Sequence, residues 1–207
     1  MYARSSTIAA QPSSMDDGIA YLRDELMPNL PQLEGWVGLS LLVNRSTGRC
    51  IASTSWESQQ ALHASRGRVQ QLRDGLARQL GGTVERVEEW DIAVMHRDHP
   101  ADDTACARCS WVQVDPGQVE RLIDTFRMEV LPQIETLDGF CSASLFVDRD
   151  SGRGVGAMVW ASREAMDATR EHSNRIRSAA TQRVGANVLE VGEFDLAFAH
   201  LRVPEMA

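Results

Sequence analysis

Between residues 119 and 134 apolar side chains return every three or four positions: Val119, Leu122, Ile123, Phe126, Val130 and Ile134 form one stripe of a helix. Ile19, Leu22, Leu26 and Leu30 repeat that stripe about 104 residues earlier. Upstream of each stripe, Tyr2 to Ala10 and Cys106 to Val114 read as short strands ended by Gln11-Pro12 and Asp115-Pro116. Downstream, Trp36 to Asn44 and Cys50 to Trp56 flank the turn Asn44-Arg45-Ser46-Thr47-Gly48, and Asp148 to Gly152 repeats the turn. A glycine at that offset supplies the positive φ of a longer hairpin loop. Leu62, Val69, Leu72, Leu76 and Leu80 then mark a second helix over Ser58 to Leu80, stopped by Gly81 and, in the other copy, Gly185. Ser13 or Ser14 is positioned to cap the first helix, and Pro28 and Pro132 to bend or end its last turn. Val84 to His96 alternates as a final strand.

The copies are in register without a gap. From Glu25 to His96, about 23 of 72 positions are identical to those 104 residues later, among them Trp56 over Trp160, Arg66 over Arg170 and His96 over His200. Each copy has the order β-α-β-β-α-β, the ferredoxin-like split βαβ unit. The expected organisation is a first repeat over 1–97, a polar linker over 98–105 and a second repeat over 106–207. A single unit leaves one sheet face uncovered, and duplication supplies a second sheet to cover it. The fold class expected is therefore α+β: two fused ferredoxin-like repeats forming an intramolecular barrel.

Composition narrows the function classes. Hydrophobic residues make up 43% and charged residues 24%, enough apolar content to bury a core. A net charge of −8 argues against a nucleic-acid or anionic-membrane surface. Every basic side chain besides histidine is arginine, a bias that points to a GC-rich genome rather than to a function. No apolar run reaches the roughly 18 residues of a membrane span, and Met1 to Asp17 has no apolar signal segment, so a cytoplasmic location is expected.

The stretch from Leu33-Glu34-Gly35-Trp36 to Trp56-Glu57-Ser58-Gln59-Gln60-Ala61-Leu62 resembles the antibiotic biosynthesis monooxygenase family of the dimeric α+β barrel superfamily. Leu137-Asp138-Gly139-Phe140 and Trp160-Ala161-Ser162-Arg163-Glu164-Ala165-Met166 repeat the likeness. What the resemblance implies is a cofactor-independent oxygenase that binds a small aromatic or polycyclic substrate between sheet and helices. It also implies that Trp56 and Trp160 contribute to the pocket wall. A non-catalytic ligand-binding or interaction module is the alternative. Haem binding is a third reading, because the haem-degrading branch uses a second-helix histidine, here His172, with a first-strand Asn that this chain lacks in both copies. No cofactor is expected otherwise.

Candidate chemistry is sparse. Gly38, Ser40 and Leu42 share one strand face, matched by Ser142, Ser144 and Phe146, and small residues there can leave room for a ligand. Thr169 interrupts the second-helix stripe in the same way. His96, His200 and His172 are the candidate bases, histidine being the side chain that ordinarily changes charge near neutral pH. Alternation places His96 and Asp91 on opposite faces. Glu89, Asp91, Glu193 and Asp195 are expected to pair with arginines, for which Arg45, Arg49, Arg149 and Arg153 are candidates. No polar constellation recurring in both copies is evident. Cys106-Ala107-Arg108-Cys109 lies on a strand that sends its two thiols to opposite faces, and no second pair completes a metal site, so Cys50, Cys106, Cys109 and Cys141 read as reduced packing residues. The expected partner is a small apolar or aromatic ligand, on a monomeric pseudo-dimer or a homodimer.

Overall fold

The structure is a computed structural model, and it describes residues 1–206. Eight strands carry the fold: β1 (Tyr2–Ala9), β2 (Trp36–Val43), β3 (Arg49–Trp56), β4 (Thr83–Arg97), β5 (Cys106–Gln113), β6 (Phe140–Asp148), β7 (Arg153–Trp160) and β8 (Asn187–Leu201). They hydrogen-bond in the order β1-β3-β2-β8-β5-β7-β6-β4 as a closed barrel. The fold is α+β, with both repeats in the expected β-α-β-β-α-β order.

The compact units do not coincide with the sequence repeats. One unit comprises Met1–Trp90 and Leu196–Val203, the other Asp91–Asp195 with residues 204–206. Each 15-residue last strand therefore begins in one unit and ends in the other.

In the first unit, Leu22, Leu26 and Leu30 pack with Leu39, Leu41, Val43 and Leu76. In the second, Leu122, Phe126, Val130 and Ile134 pack with Ala143, Leu145 and Val147. Leu39 and Leu41, like Ala143 and Leu145, thus line the helix-facing side of their strands. The alternate residues face the other way.

The helices depart from a simple periodic reading. In the first repeat the leading segment is α1 (Met15–Tyr21), a π turn over Leu22–Leu26 and a 3-10 segment over Met27–Gln32. The second repeat has α4 (Val119–Thr125), a π turn over Phe126–Val130 and α5 (Leu131–Ile134). Pro28 and Pro132 stand two residues after these π turns, behind Met27 and Leu131. Proline lacks the N–H that would continue the ladder, and the turn before each widens to five residues. Ser14 sits at the N-cap of α1 but its side chain makes no capping bond, contrary to the sequence reading.

The second helix is broken rather than continuous. It runs as α2 (Gln59–Ala64) and α3 (Arg66–Gln79) with Ser65 between, and as α6 (Arg163–Ala168) and α7 (Arg170–Val184) with Thr169 between. Ser58 caps α2 by accepting from the Ala61 N–H at 3.1 Å, and Ser162 caps α6 by accepting from Ala165 at 3.2 Å. Ser58→Ala is expected to cost about 1 kcal/mol in urea unfolding. An unchanged midpoint would show that the α2 start is held by packing alone.

The hairpin glycines behave as expected. Gly48 and Gly152 have φ of +78° and +74°, and a Cβ on either would lie 2.3 Å from a backbone carbonyl, that of Ala10 or Val114.

Candidate functional site

A cavity of about 60 Å³ lies in the second repeat between the sheet and its helices. Its floor is strand: Arg108, Ser110 and Val112 of β5, Leu145 of β6, Gly156 and Met158 of β7. Leu122 and Thr125 of α4 and Phe126 and Val130 of the π turn form one wall, and Ser173, Arg177, Ala180 and Thr181 of α7 the other. A water molecule needs on the order of 10–15 Å³ by the same measure, so the space is roomy enough for several waters or a small organic ligand.

Three wall positions of the cavity are smaller than their counterparts in the first repeat. Corresponding to Thr125, Ser173 and Ala180 in the first repeat are Tyr21, Val69 and Leu76, all larger. Tyr21 packs its ring end against Gly75, and Leu76 is buried in the first unit's core. At these three positions the second repeat thus carries smaller side chains beside its cavity than the first repeat has.

Beneath the cavity is a polar cluster that the sequence reading missed, and it is present twice. Arg4 and Arg108, both on β strands, are only 3% exposed. Arg108 donates from Nε to Glu193 at 2.9 Å, from Nη1 to Ser173 Oγ at 2.6 Å and from Nη2 to the Met166 carbonyl at 3.1 Å. Arg170 grips the same carboxylate at 2.5 and 3.0 Å. In the first repeat Arg4 donates to Glu89, Ser65 and the Leu62 carbonyl, and Arg66 completes the pair on Glu89. Burial pushes both carboxyls up, but the hydrogen bonds and charges of their two arginines outweigh it and hold Glu89 and Glu193 below the ordinary carboxylate range.

These pairings correct the expected ones. Glu89 and Glu193 take strand and helix arginines, Asp195 takes Arg163, and Arg45 pairs with Asp16. Asp91 keeps an expected partner, Arg149, at 2.7 Å. The signal for the cluster was available in the sequence. Arg4, Arg66 and Glu89 recur 104 residues on as Arg108, Arg170 and Glu193, while a charged residue on a short apolar strand is easily discounted.

The sequence-derived candidates mostly lie elsewhere. Trp56 and Trp160 are wholly buried, and neither forms a wall of the cavity. Trp56 donates its indole N–H to Thr54 Oγ1 at 3.1 Å. Met158 replaces that threonine in the second repeat, which leaves the Trp160 N–H buried without a partner, under the Arg108 guanidinium at 5.3 Å. Ser40 and Ser144 are on the strand faces turned away from the helices, since Leu41 and Leu145 occupy the helix side. Thr169 turns its hydroxyl back onto the Ala165 and Met166 carbonyls at the helix break.

None of the three candidate bases borders the cavity. His172 is exposed on α7. His96 Nδ1 is 2.8 Å from Glu205, its Nε2 is 3.3 Å from Glu135, and its ring stacks on Phe140. His200 stacks on Trp36 at 5.6 Å, with its Nε2 buried and unpartnered. A bulge between Ile92 and Val94 breaks the alternation of β4, so Val94 and His96 share the helix side with Asp91 instead of opposing it. Haem does not suit these residues: the cavity walls hold no histidine, and the space is far smaller than a porphyrin. Among the described residues no group of three His, Cys, Asp or Glu side chains could hold a metal ion. Burial pushes the Cys50 thiol up to about 11 and raises Cys106 and Cys141, which disfavours their reactive thiolates. No described helix is long and apolar enough to cross a membrane.

The likeness to known proteins agrees with this architecture. No family model matches the chain. The uncharacterised Mycobacterium tuberculosis protein Rv2557 is 50% identical over 206 residues, an alignment covering all of this chain and 92% of the relative. The M. tuberculosis protein Rv2558 is 50% identical over 207 residues, covering all of this chain and 87% of the relative. Among solved structures, an anthrone oxidase-like protein superposes with a TM-score of 0.66 at 13% identity, over 100% of this chain and 95% of its own. A ferredoxin-fold protein of Listeria monocytogenes related to antibiotic biosynthesis monooxygenases gives 0.53 at 10% identity, over 95% of each chain. A haem-degrading enzyme of L. monocytogenes gives 0.54 at 11% identity, over 95% of this chain and 99% of its own. At such identities the fold is what is shared.

Proposed function

The chain belongs to the family of the M. tuberculosis proteins Rv2557 and Rv2558, and from its cavity we propose that it binds a small, largely apolar organic molecule of single-ring size in the second repeat. One observation carries this reading: a cavity lies between sheet and helices of the second repeat, with Ala180, Ser173 and Thr125 on its walls where the first repeat has the larger Leu76, Val69 and Tyr21. Apolar walls with a few convergent polar groups are the usual composition of a small-molecule site.

Oxygenase chemistry on such a ligand draws support from the fold it shares with monooxygenase-related proteins. An oxygenase working through a deprotonated phenol or enol needs a group to receive the proton. The cavity walls contain neither histidine nor carboxylate, so binding is the reading that the geometry supports first.

The test is calorimetric titration of the protein with benzyl alcohol and with benzoate, repeated on Ala180→Leu. Leucine at 180 introduces into the cavity wall the side chain that position 76 carries, and affinity for whichever probe binds is expected to fall at least about tenfold. No binding of either probe to the wild type, or equal binding to the variant, overturns the reading.

A further inference from the structure

Accepting the cavity as a ligand site, we propose that its ligand is a small monocarboxylate, an aromatic ring bearing one carboxylate that pairs with Arg177. Arg177 is a half-buried wall residue on α7, and the side-chain partner of its guanidinium is the neutral Asn174, whose Oδ1 accepts from Nη2 at 2.9 Å. The second arginine of the cavity, Arg108, is already matched by Glu193. The remaining polar walls, Ser110, Thr125, Ser173 and Thr181, are neutral hydroxyls. The cavity therefore has two guanidinium groups at its surface and no carboxylate among its walls.

Comparison within the chain sharpens the point. The first-repeat counterpart of Arg177 is Arg73, which has Asp74 at 3.6 Å. In the second repeat the position of Asp74 holds Ser178, and the position of Leu76 holds Ala180. Both changes act on the same arginine: one removes its carboxylate, the other opens the space in front of it. Burial, with the charge of Arg108 added, pushes the Arg177 pKa down, and a guanidinium remains charged regardless. An anion entering the cavity supplies the opposite charge that offsets both effects. A carboxylate is the anion whose two oxygens match the fork of a guanidinium, and the apolar walls of Leu122, Phe126 and Leu145 suit a ring behind it.

The experiment compares benzoate with its neutral analogue benzyl alcohol by calorimetry on the full chain. Wild type is expected to bind benzoate roughly tenfold or more tightly, the increment of a charge-assisted hydrogen bond. Arg177→Met should abolish the preference while retaining benzyl alcohol. Ser178→Asp, an exposed change that rebuilds the first-repeat pairing, should weaken benzoate alone. Equal binding of the two probes by wild type, or a preference that survives in both variants, overturns the anion site while leaving the cavity reading intact. Failure of both probes to bind overturns the cavity reading and this one with it.

Discussion

Glu193→Gln is expected to destabilise the protein by about 3 kcal/mol at neutral pH. The substitution keeps the shape and the hydrogen-bonding oxygen but removes the charge that neutralises Arg108, a guanidinium only 3% exposed. Leaving a buried charge unpaired costs roughly 3–5 kcal/mol, and the lower end applies because the Glu193 side chain is itself 21% exposed. Glu89→Gln should cost a similar amount through Arg4, and here His63 and Arg66 also stand against the carboxylate. The pH dependence has a definite sign. Both carboxyls titrate below their ordinary value in the folded protein, so each contributes stability that is complete above about pH 4.5, near the unfolded carboxylate value. That contribution fades as pH falls through the folded pKa. Urea unfolding from pH 7 to pH 3 should show this acid slope in the wild type and a shallower one in each variant. A loss under about 1 kcal/mol, with the slope unchanged, would mean that these pairs behave as ordinary surface salt bridges.

The cluster also shows where sequence reasoning runs out. Element order, the hairpin turns, the glycine stops and the duplication follow from local chemistry, and repetition at 104 residues confirms each feature twice. The two long last strands are periodic enough to be read, but their bulges are not. The shift between Ile92 and Val94 exchanges inner and outer faces along β4, which reverses the expected relation of His96 to Asp91. Burial of Arg4 and Arg108 depends on carbonyls from the α2 and α6 segments some 58 residues away, and no local pattern reports that. The cavity was legible in a different way. Identities between the copies establish the duplication, whereas the non-identical pairs Tyr21 and Thr125, Leu76 and Ala180, Asp74 and Ser178 mark where the copies have diverged in size and charge.

Leu76→Ala is expected to cost about 3 kcal/mol, the usual price of truncating a buried leucine whose surroundings relax only in part. Leu76 is 2% exposed and packs within the same cluster as Leu22, Leu26 and Leu80. Its counterpart Ala180 already lines open space, so Ala180→Gly should cost no more than about 1 kcal/mol, the helix-propensity difference alone. The asymmetry extends to binding. Truncation at 76 opens apolar space beside Arg73, whose charge is met by Asp74. The variant should therefore take up a second equivalent of benzyl alcohol but still only one of benzoate, since the first repeat offers a carboxylate no uncompensated guanidinium. A second equivalent of benzoate would show that size alone, not charge, separates the two halves. A loss of stability matching that of Ala180→Gly would show that the first repeat is no more tightly packed than the second.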